Sequence, residues 1–293
     1  LCPLNLVRKG AYYGFVGNGE KPQENREAPI CWIPHAMDKS TSGQVWVDSD
    51  KWGPFKNHLI ALSYSCSIAK VYLEKTAGDG MQGGVMLFPL KFASGLMRGR
   101  FSPADGQLYV CGLRGWSSNA GRECQLARVR YTGKPVHMPL EVKARAGGID
   151  ITFTHALDPA SVTAENVGAE WYNVIRTGAY GSGEFNVSTP NKKGKEPLEI
   201  SAMKLLPDGK TLSLQIPSLK PANVILMKFR VKAADGTALN QELSYTINRL
   251  PNATGNGPQN LSGTGRLLQD GTFYTKFAAQ YPLYITKGIT DRS

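Results

Sequence analysis

The chain has 293 residues and a net charge of +11, from 34 basic and 23 acidic side chains. Its 41% hydrophobic and 19% charged content supplies apolar material for about two cores and excludes a disordered tail. No run of eighteen apolar residues occurs, which excludes a membrane-spanning helix. No nucleic-acid-binding module accompanies the positive charge, and its densest cluster, Lys192-Lys193-Gly194-Lys195, reads as a solvated loop.

The chain begins at Leu1 without a basic-then-apolar leader, as expected of a mature or cropped piece of something longer. The five cysteines form no CxxC pair and no CxxCH, so zinc-ribbon, thioredoxin-type and covalent-haem readings lack their spacing. Cys2 and Cys31 are a candidate disulfide. His35 lies in Trp32-Ile-Pro-His-Ala-Met-Asp, a loop feeding a strand, and is a candidate ligand residue because loops on a rigid scaffold carry function.

An internal repeat follows. Gly43-Gln-Val-Trp-Val recurs as Gly106-Gln-Leu-Tyr-Val, about 63 residues on. Each copy precedes a tryptophan, Trp52 and Trp116, and then a further alternating segment, Ser67–Leu73 and Cys124–Tyr131. Asp48-Ser-Asp50-Lys-Trp-Gly53 has the start of a calcium loop but not its later ligands, and reads as a turn. Period-two alternation gives strands with one face inward, and stacked small sheets of this kind build β-propeller blades. About 135 residues carry the pattern, enough for two to three blades, while closed propellers have about four to eight. An open arc leaves blade faces in water, so another chain or segment is expected to complete or cover it.

In Met97-Arg-Gly-Arg-Phe101, Arg98 and Arg100 fall on one side of a strand. Two adjacent guanidinium groups repel unless they share an anion or are paired by acidic neighbours. Arg114, beside Trp116, is a further ligand candidate with Trp52 and Trp116 themselves. None of the four histidines has metal-ligand spacing, so no metal site is expected. From about Leu140 clean alternation, as in Ile149–Thr154, Thr211–Ile216 and Val224–Val231, with turns at Pro207-Asp-Gly-Lys and Ala234-Asp-Gly-Thr, predicts an immunoglobulin-like β-sandwich. The expected organisation is all-β: a partial β-propeller over 1–138, an Ig-like sandwich over 139–250, and a linker with C-terminal tail over 251–293.

Several of these segments together resemble the C-terminal blades of glucose/sorbosone dehydrogenase-like (quinoprotein-type) bacterial β-propellers fused to an Ig-like domain. The matching text is Trp52-Gly-Pro-Phe-Lys-Asn-His-Leu, Met81-Gln-Gly-Gly, Ser94-Gly-Leu-Met-Arg-Gly-Arg-Phe-Ser-Pro-Ala-Asp-Gly-Gln-Leu-Tyr-Val and Gly115-Trp, with Leu157-Asp-Pro-Ala-Ser-Val-Thr-Ala-Glu-Asn and Pro207-Asp-Gly-Lys-Thr-Leu in the sandwich. The resemblance implies a periplasmic or secreted bacterial protein. It also implies that Arg98 and Arg100 match the Arg-x-Arg that holds pyrroloquinoline quinone (PQQ), a cofactor used with calcium, in catalytic members. The lysine at a second quinone-binding position has no counterpart in Leu62-Ser-Tyr-Ser-Cys-Ser, and the general-base histidine of that family lies in earlier blades.

The functional expectation is therefore an exported propeller/Ig-like segment of a larger assembly, acting in binding or structure toward a carbohydrate or partner protein. The alternative is the C-terminal segment of a PQQ-dependent sugar dehydrogenase-like oxidoreductase passing electrons to a cytochrome c.

Overall fold

A computed structural model describes residues 2–14, 26–115, 119–174 and 183–251. Strand outweighs helix by 47% to 3%, which fixes the all-β class. β1 (Cys2–Leu4) and β2 (Cys31–Ile33) form an antiparallel ribbon. β3 (Thr41–Trp46), β4 (Leu59–Ser63), β5 (Ser67–Lys75) and β6 (Met81–Leu87) follow as an up-and-down meander. β7 (Arg98–Phe101), β8 (Leu108–Leu113) and β9 (Cys124–Val129) make a separate three-stranded sheet.

The remainder comprises β10 (Pro139–Arg145), β11 (Gly148–Phe153), β12 (Val167–Val174), β13 (Glu184–Phe185) and β14 (Glu196–Pro197), then β15 (Ala202–Leu205), β16 (Thr211–Gln215), β17 (Ala222–Lys232) and β18 (Ala238–Ile247). β10, β11, β16 and β15 form a four-stranded sheet in that order. The largest sheet runs β13-β12-β17-β18-β6-β5-β4-β3, with β14 also paired to β12. Among the described residues every strand pairing is antiparallel and no sheet closes on itself.

The large sheet joins the two halves of the chain. β18 pairs with β6 through Ser244↔Val85, Tyr245↔Gly84 and Thr246↔Gly83, so the boundary expected at 138/139 is bridged by backbone hydrogen bonds even though Pro139 does open a new sheet. Glycine makes this approach possible. A Cβ on Gly84 would stand 2.2 Å from the Ser244 carbonyl oxygen of β18, and toward β5 one on Gly83 would stand 1.9 Å from the Tyr72 carbonyl oxygen.

Alternation then separates two cores. On one face Ile60, Ile68, Tyr72, Met86, Trp171, Ile225 and Tyr245 meet Val142, Ile151 and Leu212 of the four-stranded sheet and Leu108 and Val110 of β8. On the other face Val71, Val85, Tyr172 and Val224 pack under Cys31, Trp32 and Ile33 of the ribbon. Within that ribbon Cys2 stands opposite Ile33 and Leu4 opposite Cys31. The two cysteines are thus out of register by two positions, and both are free thiols, which corrects the candidate disulfide.

Candidate functional site

Two surfaces bring chemistry-bearing side chains together. The first is the outer face of β7-β8-β9. Arg98 lies opposite Cys111, which lies opposite Leu126. Arg100 lies opposite Tyr109, which lies opposite Arg128. The intervening rows turn inward, where Leu108 and Val110 are fully buried. Arg98 and Arg100 therefore project from the same exposed face, as strand alternation requires. Their guanidinium groups donate to the carbonyl of the preceding residue, Met97 at 2.9 Å and Gly99 at 2.8 Å, and no described carboxylate forms an ion pair with either. Arg128, by contrast, is engaged by Asp105 at 3.4 Å, and the Tyr109 hydroxyl donates to the same carboxylate at 2.9 Å. Leu113 and Leu126 are 45% and 75% exposed on this face.

The second surface is a cavity of about 800 Å³ lined by His35, Met37, Lys39, Cys66, Phe88, Lys91, Phe92 and Asn119, a size that accommodates a small organic ligand. Its loops are tied down by hydrogen bonds. Met37 N–H and Asp38 N–H both donate to the Pro34 carbonyl at 2.9 Å. The buried Asp38 carboxylate accepts from Ser40 N–H at 2.8 Å, from the Ser65 hydroxyl at 3.2 Å and from the Ser63 hydroxyl. Phe92 N–H donates to Cys66 O at 3.0 Å, Leu96 N–H to Ser63 O at 2.9 Å and Arg122 N–H to Ala93 O at 2.9 Å.

Cys66 sits at the β4–β5 hairpin with φ of 62°, a left-handed conformation uncommon for a residue with a side chain, and burial pushes its thiol up. Burial, followed by nearby positive charge including Lys39, pulls the His35 imidazole below its usual value. The cavity thus offers a histidine favoured in its neutral form, two lysines and an apolar floor. Those side chains put hydrogen-bonding and cationic groups beside an apolar surface.

The other expected site residues fare differently. Trp52 is not an exposed platform. It is 4% exposed, donates its indole N–H to Val129 O at 3.1 Å and packs edge-on against Phe55, Phe88 and Phe101 at 6.0, 6.1 and 5.3 Å. The 3-10 turn Gly53–Phe55 folds it into the core. Among the described residues the exposed tryptophan is Trp46, at 55%, between the inward Val45 and Val47. Arg114 forms a surface ion pair with Glu123 at 3.1 Å. Trp116 and the tail beyond Pro251 lie outside the described residues.

The structure also joins groups that spacing did not connect. The rings of His137 and His155 lie 4.6 Å apart, and His137 Nε2 is 2.9 Å from Asp235. Lys70 is wholly buried with its ammonium nitrogen lacking a hydrogen-bond partner. Strand parity is the sequence signal for it, since Lys70 shares a strand face with Ile68 and Tyr72.

The residues present do not fit an enclosed quinone–calcium site. Neither Arg98 nor Arg100 lines the His35 cavity, and the stretch Leu62–Ser67 at the β4–β5 turn carries no lysine. Among the described residues no group of three or more His, Cys, Asp or Glu side chains is placed to hold a metal ion. No helix there is long and apolar enough to cross a membrane. No family model matches the chain, and no curated protein or solved structure matches it either.

Proposed function

We propose that the chain is a non-catalytic binding module of a larger exported assembly, docking through the outer face of β7-β8-β9 onto an acidic surface of a partner protein. In this reading the β3–β6 meander and the β7–β9 sheet are propeller-type blades, and the strands from β10 onward form an Ig-like sandwich fused to them.

The observation that carries the reading is the pair Arg98 and Arg100, exposed on one face without a carboxylate. Residues two apart on a strand stand about 7 Å from each other, so the two charges repel until an anion comes between them. A partner carboxylate relieves that repulsion and gains paired, charge-assisted hydrogen bonds. Leu113 and Leu126 add the apolar surface of a docking face, and arginine beside exposed apolar side chains is the composition of protein-binding surfaces. The chain's net charge of +11 draws an acidic partner toward it.

The double charge reversal Arg98→Glu/Arg100→Glu is expected to weaken the complex by about a hundredfold or more, the scale seen when close interfacial charge pairs are broken. Folding stability should not change, because neither side chain points inward. The check is the native mass of the particle isolated with a tagged chain. The wild type should travel with its partner and the double variant alone, with equal unfolding midpoints for the two chains. Equal particle masses would sink the proposal.

A further inference from the structure

The outer face of β7-β8-β9 carries two thiols, Cys111 on β8 and Cys124 on β9. Both are free and exposed. Strand register fixes how they stand to each other. Cys111 faces Leu126 and Leu113 faces Cys124, so the two cysteines occupy the ends of one diagonal between adjacent strands. Parity turns both side chains outward, because Leu108 and Val110, of the opposite parity on β8, are fully buried. The Arg114 N–H donates to the Glu123 carbonyl at 2.8 Å, which makes Arg114 and Glu123 a hydrogen-bonded pair. Pair types alternate along an antiparallel ladder. Cys111–Leu126 and Leu113–Cys124 are therefore non-hydrogen-bonded pairs, the kind in which side chains approach more closely.

Diagonal Cα atoms across such a ladder lie about 7–8 Å apart. A disulfide spans about 4.4–6.8 Å and cannot close over more without backbone movement. The register thus disfavours a bond between the two sulfurs and leaves both facing solvent. An ion placed between them relaxes that limit. Two metal–sulfur bonds of about 2.3 Å in a line set the sulfurs about 4.6 Å apart, against about 2.05 Å in a disulfide, and the extra length brings the diagonal within reach. Ligand number then selects the ion. No third His, Cys, Asp or Glu completes a larger ligand set among the described residues, so zinc, which takes four ligands, is not satisfied here. Copper(I) is soft, favours thiolate and is stable between two sulfurs. Two thiolates and one copper(I) carry a net single negative charge. The Arg98 guanidinium, opposite Cys111 and without a carboxylate among the described residues, lies beside it.

We propose that Cys111 and Cys124 form a two-thiolate site for copper(I). Binding breaks two S–H bonds and forms two copper–sulfur bonds. The two protons pass to water and the copper keeps its oxidation state, so nothing is oxidised or reduced. Because the ion displaces protons, affinity rises with pH, by up to about a hundredfold per unit while both sulfurs are protonated in the free chain. The site is built within one chain. It stands whether or not this face also docks onto an acidic partner.

The test titrates the full chain with copper(I) in the absence of oxygen, against bathocuproine disulfonate as a coloured competing chelator, and reads the ligands of the bound ion by X-ray absorption. The wild type should hold one copper per chain between two sulfurs, at least about tenfold more tightly at pH 7.5 than at pH 6.5. Cys111→Ser and Cys124→Ser should each weaken binding by about a hundredfold or more, the scale of losing one of two ligands. Cys2→Ser removes a partly exposed thiol elsewhere and should leave binding unchanged. Copper held by either of the first two variants as tightly as by the wild type would overturn the assignment. So would one copper shared between two chains, three or more sulfurs around the ion, or zinc bound as tightly as copper(I). The ligand count and stoichiometry come from wild-type protein, so the result does not depend on whether a variant folds.

Discussion

Replacing Glu74 by alanine is expected to lower the unfolding free energy by about 3–5 kcal/mol, far more than removing one surface carboxylate. Glu74 accepts from the Tyr245 hydroxyl on β18, from Gln82 Nε2 on β6 at 2.7 Å and from Ala144 N–H on β10 at 3.1 Å. One side chain therefore links the two halves of the large sheet to each other and to the four-stranded sheet above. Tyr245 and Gln82 are 0% and 1% exposed, so their donors cannot turn to water when the acceptor is removed. Each buried donor left without a partner costs about 1–3 kcal/mol, and the three are not fully additive. Burial, with the Glu74 charge adding to it, pushes the Tyr245 hydroxyl well above the usual tyrosine range, so it remains a donor at any ordinary pH. The check is urea unfolding of wild type, Glu74→Ala and Tyr245→Phe. The alanine variant should lose the most, with its transition still single, because both halves contribute to one core. An unchanged midpoint would contradict the linking role.

Replacing Lys70 by methionine should do the opposite and raise stability by about 2–4 kcal/mol at pH 7. The change nearly conserves volume and removes an unpaired buried cation, a substitution that is often stabilising. The same residue sets a pH dependence. Its pKa is about 7 in the folded chain and near 10.4 when unfolded. Between those values the unfolded state binds the extra proton, so stability rises with pH through that window, and the cost is fully present below pH 7. His58, lowered to about 4 when folded, adds a second rise between pH 4 and 6.5. Tyr72 and Tyr245, both raised by burial, end the climb above pH 10, where the unfolded chain loses its tyrosine protons first. Urea midpoints at pH 6, 7, 8 and 9 read this directly. The wild type should gain stability across the series, and Lys70→Met should start higher and stay nearly flat. A less stable methionine variant with an unchanged pH profile would refute the assignment.

Strand alternation made much of this legible in the sequence. It placed Arg98 and Arg100 on one face, and it held for the strands from Ile149, Thr211 and Val224. Local pattern could not show which strands pair at long range. The β6–β18 junction is carried by Gly83 and Gly84, which signal only a missing side chain, while Ser244 to Thr246 read like any other strand end. The repeat was visible, yet its copies take unlike places: Gly43–Trp46 lies in an edge strand, and the second copy leads into the central strand of its sheet. The burial of Trp52 is not visible locally, because it follows a polar turn and is covered by Phe55 together with Phe88 and Phe101 from more distant segments. The His35 loop stands out in the sequence, but the walls of its cavity come from segments far apart in the chain, closed by Asp38 and the β4–β5 hairpin.

The docking face is tested most directly by amide hydrogen exchange on the isolated chain and on the native particle that contains it. Slower exchange in the particle is expected at Arg98–Leu113 and Cys124–Val129, reversed by raised salt because the arginines contribute charge to the contact. Protection elsewhere, with these segments exchanging as they do in the isolated chain, would contradict the account.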